Sequence, residues 1–335
     1  MMTVFELIAG LVIILAAAEF FTNGIEWTGK RCGLSEGAVG SVLAAIGTAL
    51  PETIVPVLAI FFGNGEASAH VGIGAILGAP FMLGTLAFFV TGAAVVWFRR
   101  NPAQGFLKGV PEMKINRQIV LRDLSVFLAL YSLAVGASLV DVFMVKVLIA
   151  VALVGAYIFY VAQTCKSGEC LGEEELPCLY LAKGAKEPQL GIIIFQVILA
   201  LAGIVLGAKL FVAGVEEAAE FLGIAPLLLS LIIVPIATEL PEKFNSIIWV
   251  RQGKDTLAMG NITGAMVFQS SIIPAIGIVS TPWKLSWLPT ASAILALVSA
   301  ALVVLTVYRT GKLKPQVLLT GGLFYLVFIG LIFVN

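Results

Sequence analysis

An all-α membrane protein of ten transmembrane helices, built as two inverted-topology five-helix repeats, is predicted by three features of this chain. These are its long apolar runs, the one-sided placement of its basic residues, and an internal repeat. Hydrophobic residues make up 60% of the 335 positions and charged residues only 12%, against roughly 25% charged in soluble proteins. The formal net charge of zero carries little information, because in a membrane protein the placement of charge matters more than its sum.

Apolar runs of about 17–25 residues are long enough to cross a bilayer. They occur at 4–22, 37–62, 71–98, 121–140, 142–163, 190–210, 225–249, 257–279, 287–308 and 315–334. The first is read as a retained helix rather than a cleaved signal peptide. The largest hydrophilic joints are 99–120, rich in Arg and Lys, and 164–188, which holds Glu173-Glu174-Glu175. Cytoplasmic loops collect Lys and Arg. With the amino terminus outside, the odd-numbered joints are cytoplasmic and hold sixteen of the twenty basic residues, from Lys30 and Arg31 to Lys312 and Lys314. An even number of spans then places both termini outside a plasma (inner) membrane.

The repeat divides the chain. Residues 18–52 align without a gap on 208–242 at a constant shift of 190, matching Phe21/Phe211, Gly24/Gly214, Glu26/Glu216, Gly33/Gly223, Thr48/Thr238, Pro51/Pro241 and Glu52/Glu242. A pair Gly74-x-x-x-Gly78 and Gly260-x-x-x-Gly264 follows at a shift of 186. Residues 1–163 thus form one five-helix repeat, 164–188 a cytoplasmic linker, and 189–335 the second repeat. Five helices per half force opposite orientations in the membrane, a plan in which ions bind where the repeats meet.

The repeated motif carries the chemistry. A carboxylate inside an apolar run is costly and marks a functional site by default. Pro51 and Pro241 donate no backbone hydrogen bond, so the carbonyls of Gly47 and Ala237, four residues earlier, lose their helical partners. Thr48 and Thr238 add hydroxyls, and Glu52 and Glu242 add carboxylates about one turn on. Carbonyl, hydroxyl and carboxylate are hard oxygen ligands suited to Na⁺, Ca²⁺ or Mg²⁺. Two carboxylates balance one divalent ion, and univalent ions or protons replace it at the same oxygens. Asn261 and Gln269 offer amide oxygens where the first copy has Ala75 and Leu83. Glu239 either adds a further ligand or pairs with Lys243 at i,i+4. The glycine pairs are expected to let neighbouring helices approach closely.

These two motifs resemble the alpha repeats of the sodium/calcium exchanger family within the calcium/cation antiporter superfamily, across both halves of the chain. The family motif G-T-S-L-P-E is matched nearly in full by residues 47–52, and by 237–242 with Ala237 for the first Gly and Glu239 for the small residue. The resemblance implies ten helices, outside termini and a prokaryotic-type member. It implies Glu52 and Glu242 as central metal ligands, with Thr48, Thr238 and the carbonyls of Gly47 and Ala237 also serving sodium. It also implies Na⁺/Ca²⁺ exchange by alternating access, exporting Ca²⁺. The family's second motif, G-N-x-x-G-S-N, is reduced here: Ala79 and Ala265 replace both serines, and Pro80 and Met266 replace the polar residues beside them. A proton-coupled exchanger, or an antiporter for another divalent cation, fits the same residues.

Other classes find little support. His70 is the single histidine and is expected in an outer loop, so His-based triads and metal pairs are absent. An intramembrane enzyme needs an Asp-rich diphosphate motif or a Ser/His dyad, and neither occurs. Cys32, Cys165, Cys170 and Cys178 fit no zinc spacing and are expected to be reduced thiols. The expected partners are metal cations and the lipid bilayer, with no nucleic acid, no resident cofactor and a monomer as transport unit.

Overall fold

The computed structural model describes residues 2–31, 50–63, 65–99, 112–166, 177–185 and 187–334. Their regular secondary structure is helical, with no strand among the described residues; one isolated bridge joins Met113 to Leu313. The helices are α1 (Met2–Arg31), α2 (Leu50–Phe62), α3 (Gly65–Met82), a π segment (Leu83–Ala87), α4 (Phe88–Arg99), α5 (Arg117–Gly136) and α6 (Phe143–Lys166). They continue as α7 (Leu190–Leu222), α8 (Pro226–Thr238), α9 (Leu240–Arg251), α10 (Asp255–Gln269), α11 (Ile272–Ser280), α12 (Trp287–Thr310) and α13 (Pro315–Val334).

Eight stretches of the described residues are long and apolar enough to cross a membrane: Phe5–Ile25, Glu66–Arg99, Arg117–Leu139, Phe143–Thr164, Leu190–Leu222, Asp255–Ser280, Trp287–Thr310 and Pro315–Phe333. Of the expected span 37–62, residues 37–49 lie outside the described residues and Glu52–Phe62 is a shorter apolar helix; the expected span 225–249 comprises the shorter apolar helix Pro226–Ile236 and, after an interruption, α9. Each expected span holds one copy of the proline-bearing motif. Large apolar side chains such as Phe5, Leu148, Phe195 and Leu326 are exposed, as they are where lipid rather than water is the solvent.

The chain forms two compact units, Met1–Gly72 with Tyr157–Leu229, and Ile73–Ala156 with Ser230–Asn335. In the first, α1 packs along α7, and α2 packs on both. Ala18, Phe21, Ala200 and Ile204 form its core. Buried Gln196 ties the unit together: its amide donates to the Phe20 carbonyl at 2.9 Å and to Asn23 Oδ1 at 3.0 Å, and its oxygen accepts from the Leu181 amide at 3.0 Å. Trp27 Nε1 donates to the Pro177 carbonyl at 2.9 Å, and the Tyr180 hydroxyl donates to Glu19 at 2.6 Å. Residues 177–185, part of the expected linker loop, are therefore held against helix side chains. Gly223 ends α7 at φ 65°, a left-handed cap that glycine adopts without steric cost.

The α1–α7 crossing is close because two glycines face each other. A Cβ at Gly207 would lie 2.9 Å from both the Gly10 carbonyl oxygen and the Ile14 nitrogen, while one at Gly191 would meet nothing within 4 Å among the described residues. Backbone atoms at that distance cannot step aside. Gly207→Ala is expected to lower stability by about 1–3 kcal/mol, read as a lower melting temperature in detergent. Gly191→Ala, in the same helix, should be neutral or stabilising by up to ~1 kcal/mol.

In the second unit α5 packs on α10 and α12, and α13 packs on α4, the π segment and α12. Phe81, Phe88, Phe127, Tyr131 and Trp283 are fully buried there. Asn116 caps α5, its side chain accepting from the amides of Gln118 at 2.9 Å and Ile119 at 3.4 Å. His70 lies exposed within α3 and not in a loop; the joint before α3 is shorter than the hydropathy pattern suggested.

Candidate cation site

The second copy of the motif breaks its helix. Pro241 stands in the first turn of α9, where a missing N–H costs nothing. Helix α8 therefore stops at Thr238, Glu239 takes φ −91° and ψ 11°, and α9 starts at Leu240. The Thr238 hydroxyl donates to the Val234 carbonyl at 3.0 Å. That spends its proton and leaves oxygen lone pairs for a cation. The backbones of Ala237 and Glu242 lie in α8 and α9, and their side chains are outside the described set.

Glu239 is fully buried, and Lys243 and Gln269 are among its partners. Lys243 Nζ stands 3.2 Å from Glu239 Oε2 and donates to the Pro235 carbonyl at 3.3 Å. Gln269 Nε2 donates to Glu239 Oε1 at 3.4 Å. The i,i+4 pair allowed by the sequence is thus formed, and it is buried. Gln269 is buried as well, and its Oε1 has no hydrogen-bond partner among the described residues. Asn261 is half-buried on α10.

The first copy lies in the first unit. Gly47 and Thr48 fall outside the described residues. Glu52 sits in the first turn of α2 and is buried, 3% exposed.

The glycine pairs divide. Gly78 lies against α8, where a Cβ would come 2.6 Å from Pro235 Cγ. At Gly260 and Gly264 a Cβ would meet nothing within 4 Å among the described residues. A correspondence not expected from sequence follows them. The π segment at Leu83–Ala87 and the interruption at Ser270–Ser271 between α10 and α11 occupy the same register at the shift of 186. Departures of this kind re-aim backbone groups and recur at functional sites.

Asp123 went unremarked in the sequence. It is buried on α5, accepting from Thr263 Oγ1 at 2.8 Å and Arg122 Nε at 3.1 Å. Its signal was a lone acid inside the apolar run 121–140. In the first unit Glu216 accepts from Ser68 Oγ and lines a cleft of about 710 Å³ with Glu217 and Glu220. Among the described residues no group of three or more His, Cys, Asp or Glu side chains is placed to hold a metal ion.

Long apolar helices, interrupted helices and buried carboxylates define a multi-pass membrane protein with polar chemistry inside it. The sequence model described as sodium/calcium exchanger protein matches residues 2–165 and 192–335, so the chain belongs to that family of cation antiporters. The putative antiporter CaxA of Alkalimonas amylolytica is 26% identical over 329 residues, covering 98% of this chain and 96% of the relative. The inner membrane protein YrbG of Escherichia coli K12 is 24% identical over 327 residues, 94% and 93% of the two chains. Among solved structures, the H⁺/Ca²⁺ exchanger CAX superposes with a TM-score of 0.76 at 17% identity, over 99% of this chain and 82% of that one. The sodium–calcium exchanger NCX_Mj does so at 0.60 and 20%, over 98% and 99%. These two likenesses establish the fold.

Proposed function

We propose that the protein is a secondary active antiporter exporting Ca²⁺ in exchange for Na⁺ by alternating access. Its ten helices then form two inverted five-helix repeats joined by the cytoplasmic residues 164–188, with both termini outside the plasma membrane and one chain as the transport unit. Glu52 and Glu242 supply the charge that balances the divalent ion. Thr48, Thr238 and the carbonyls of Gly47 and Ala237 complete the oxygen set, and Asn261 and Gln269 extend it on one side.

The observation that carries this reading is the duplicated Thr-x-Leu-Pro-Glu motif in a family of cation antiporters. Coupling follows from electrostatics. An empty pair of carboxylates carried through an apolar barrier costs several kcal/mol per charge. Loading by Ca²⁺, or by univalent ions, removes that cost, so the protein reorients when occupied and not when empty.

A second reading, proton-coupled exchange, draws support from Ala79 and Ala265, which lack the hydroxyls that would ligate sodium. Calcium flux in proteoliposomes under separately imposed Na⁺ and H⁺ gradients tests both. The Na⁺ gradient is expected to drive uptake. Uptake under the H⁺ gradient alone would establish the second reading. Calcium movement needing neither gradient would show a channel and sink both.

A further inference from the structure

Glu239 and Lys243 have no counterpart in the first repeat. At the shift of 190 their places are taken by Ala49 and Thr53. The second copy has therefore gained a negative and a positive charge together, next to the motif's Thr238 and Glu242. Both are buried: the Glu239 side chain is 0% exposed and the Lys243 side chain 8%. An i,i+4 ion pair on an exposed helix face would be worth only a few tenths of a kcal/mol. Inside the protein each charge instead depends on the other, because an uncompensated buried charge is strongly unfavourable.

The surroundings of the ammonium are those of a bound cation. Nζ lies 3.2 Å from a carboxylate oxygen and 3.3 Å from the Pro235 carbonyl oxygen. Gln269, whose amide nitrogen already touches Glu239, also has a buried side-chain oxygen with no hydrogen-bond partner among the described residues. Carboxylate, carbonyl and amide oxygens are the ligands hard cations take. A lysine ammonium is a compact point charge on a flexible stem, so it can occupy the place of such an ion without leaving.

We infer that Lys243 is a tethered cation filling a monovalent-cation site formed by Glu239, the Pro235 carbonyl and Gln269, and that removing it opens the site to one mobile ion. This deepens the antiport reading, and rests on it for its meaning in transport: the tether fixes one positive charge and so lowers by one the number of ions exchanged against each divalent ion. The site is a specificity device of this chain, with a carboxylate of its own and Gln269 shared with the oxygen set proposed for Glu52 and Glu242.

Equilibrium binding of radioactive Na⁺ to the purified full-length protein tests it. Lys243→Met is expected to bind one more Na⁺ per chain than the wild type. Glu239→Gln/Lys243→Met, which removes both charges, is expected to return to the wild-type count. An unchanged count in folded Lys243→Met, or a gain in the double variant, overturns the inference. Should Lys243→Met fold poorly, its recovery in Na⁺ but not in tetramethylammonium of equal ionic strength supports the site, and no recovery overturns it. Because the readout is binding, absence of calcium exchange in every protein including the wild type would defeat the antiport reading while the Na⁺ count still decided the role of Lys243.

Discussion

Glu52→Gln or Glu242→Gln is expected to abolish calcium exchange in proteoliposomes while leaving the protein folded. The argument is one of charge. Two unit charges about 4 Å apart attract by about 4 kcal/mol at an effective dielectric of about 20, and each ~1.4 kcal/mol is tenfold in affinity. Removing one carboxylate charge from a divalent cation's ligands therefore weakens binding by two orders of magnitude or more. The amide keeps the volume and one acceptor oxygen of the carboxylate, so packing is preserved. A monodisperse elution profile with no calcium flux is the expected pair of results. Flux at the wild-type rate in either variant refutes the assignment of these residues.

Much of this was legible in the residue string, for physical reasons that can be stated. Lipid forces long apolar helices, so hydropathy located the eight long spans, most of them within a few residues, although the span expected at 190–210 runs on to Leu222. The break in the second motif was legible because a proline removes a specific hydrogen bond. The sequence placed the loss at Ala237, and the structure places the interruption at Glu239, two residues on. The Glu239–Lys243 pair was legible as an i,i+4 spacing.

What was not legible depends on contacts between distant segments. Nothing in Leu83-Gly84-Thr85-Leu86-Ala87 announces a π segment. It is stabilised where it lies, with the Ser299 hydroxyl donating to the Gly84 carbonyl at 2.5 Å and the Thr85 hydroxyl to the Phe81 carbonyl. Asp123 carried only the weak signal of a single acid with no repeat to mark it, and Thr263, one of its partners, is 140 residues away.

The largest expected effect on stability lies elsewhere in the second unit, at Asp255. This residue opens α10 and its side chain is fully buried. Arg99, ending α4, grips it with both arms: Nη1 to Oδ2 at 2.7 Å and Nη2 to Oδ1 at 2.6 Å. Arg99 Nη2 also donates to the Val250 carbonyl near the end of α9, and the Lys114 amide donates to Asp255 Oδ2 at 2.7 Å. One carboxylate thus fastens three helix ends and the strap before α5, where Met113 bridges to Leu313. Asp255→Ala leaves a guanidinium only one-fifth exposed and a backbone amide without their acceptor. Breaking a buried pair by removing one partner costs about 3–5 kcal/mol. The partial exposure of Arg99 sets the expectation at about 3 kcal/mol, read as a drop of several degrees in the melting temperature in detergent. Arg99→Met/Asp255→Leu removes both charges and should recover a large part of that loss, since apolar replacement of a whole buried pair is often nearly neutral. A double variant no more stable than Asp255→Ala would mean that the Lys114 and Val250 bonds, and not the ion pair, hold these helix ends together.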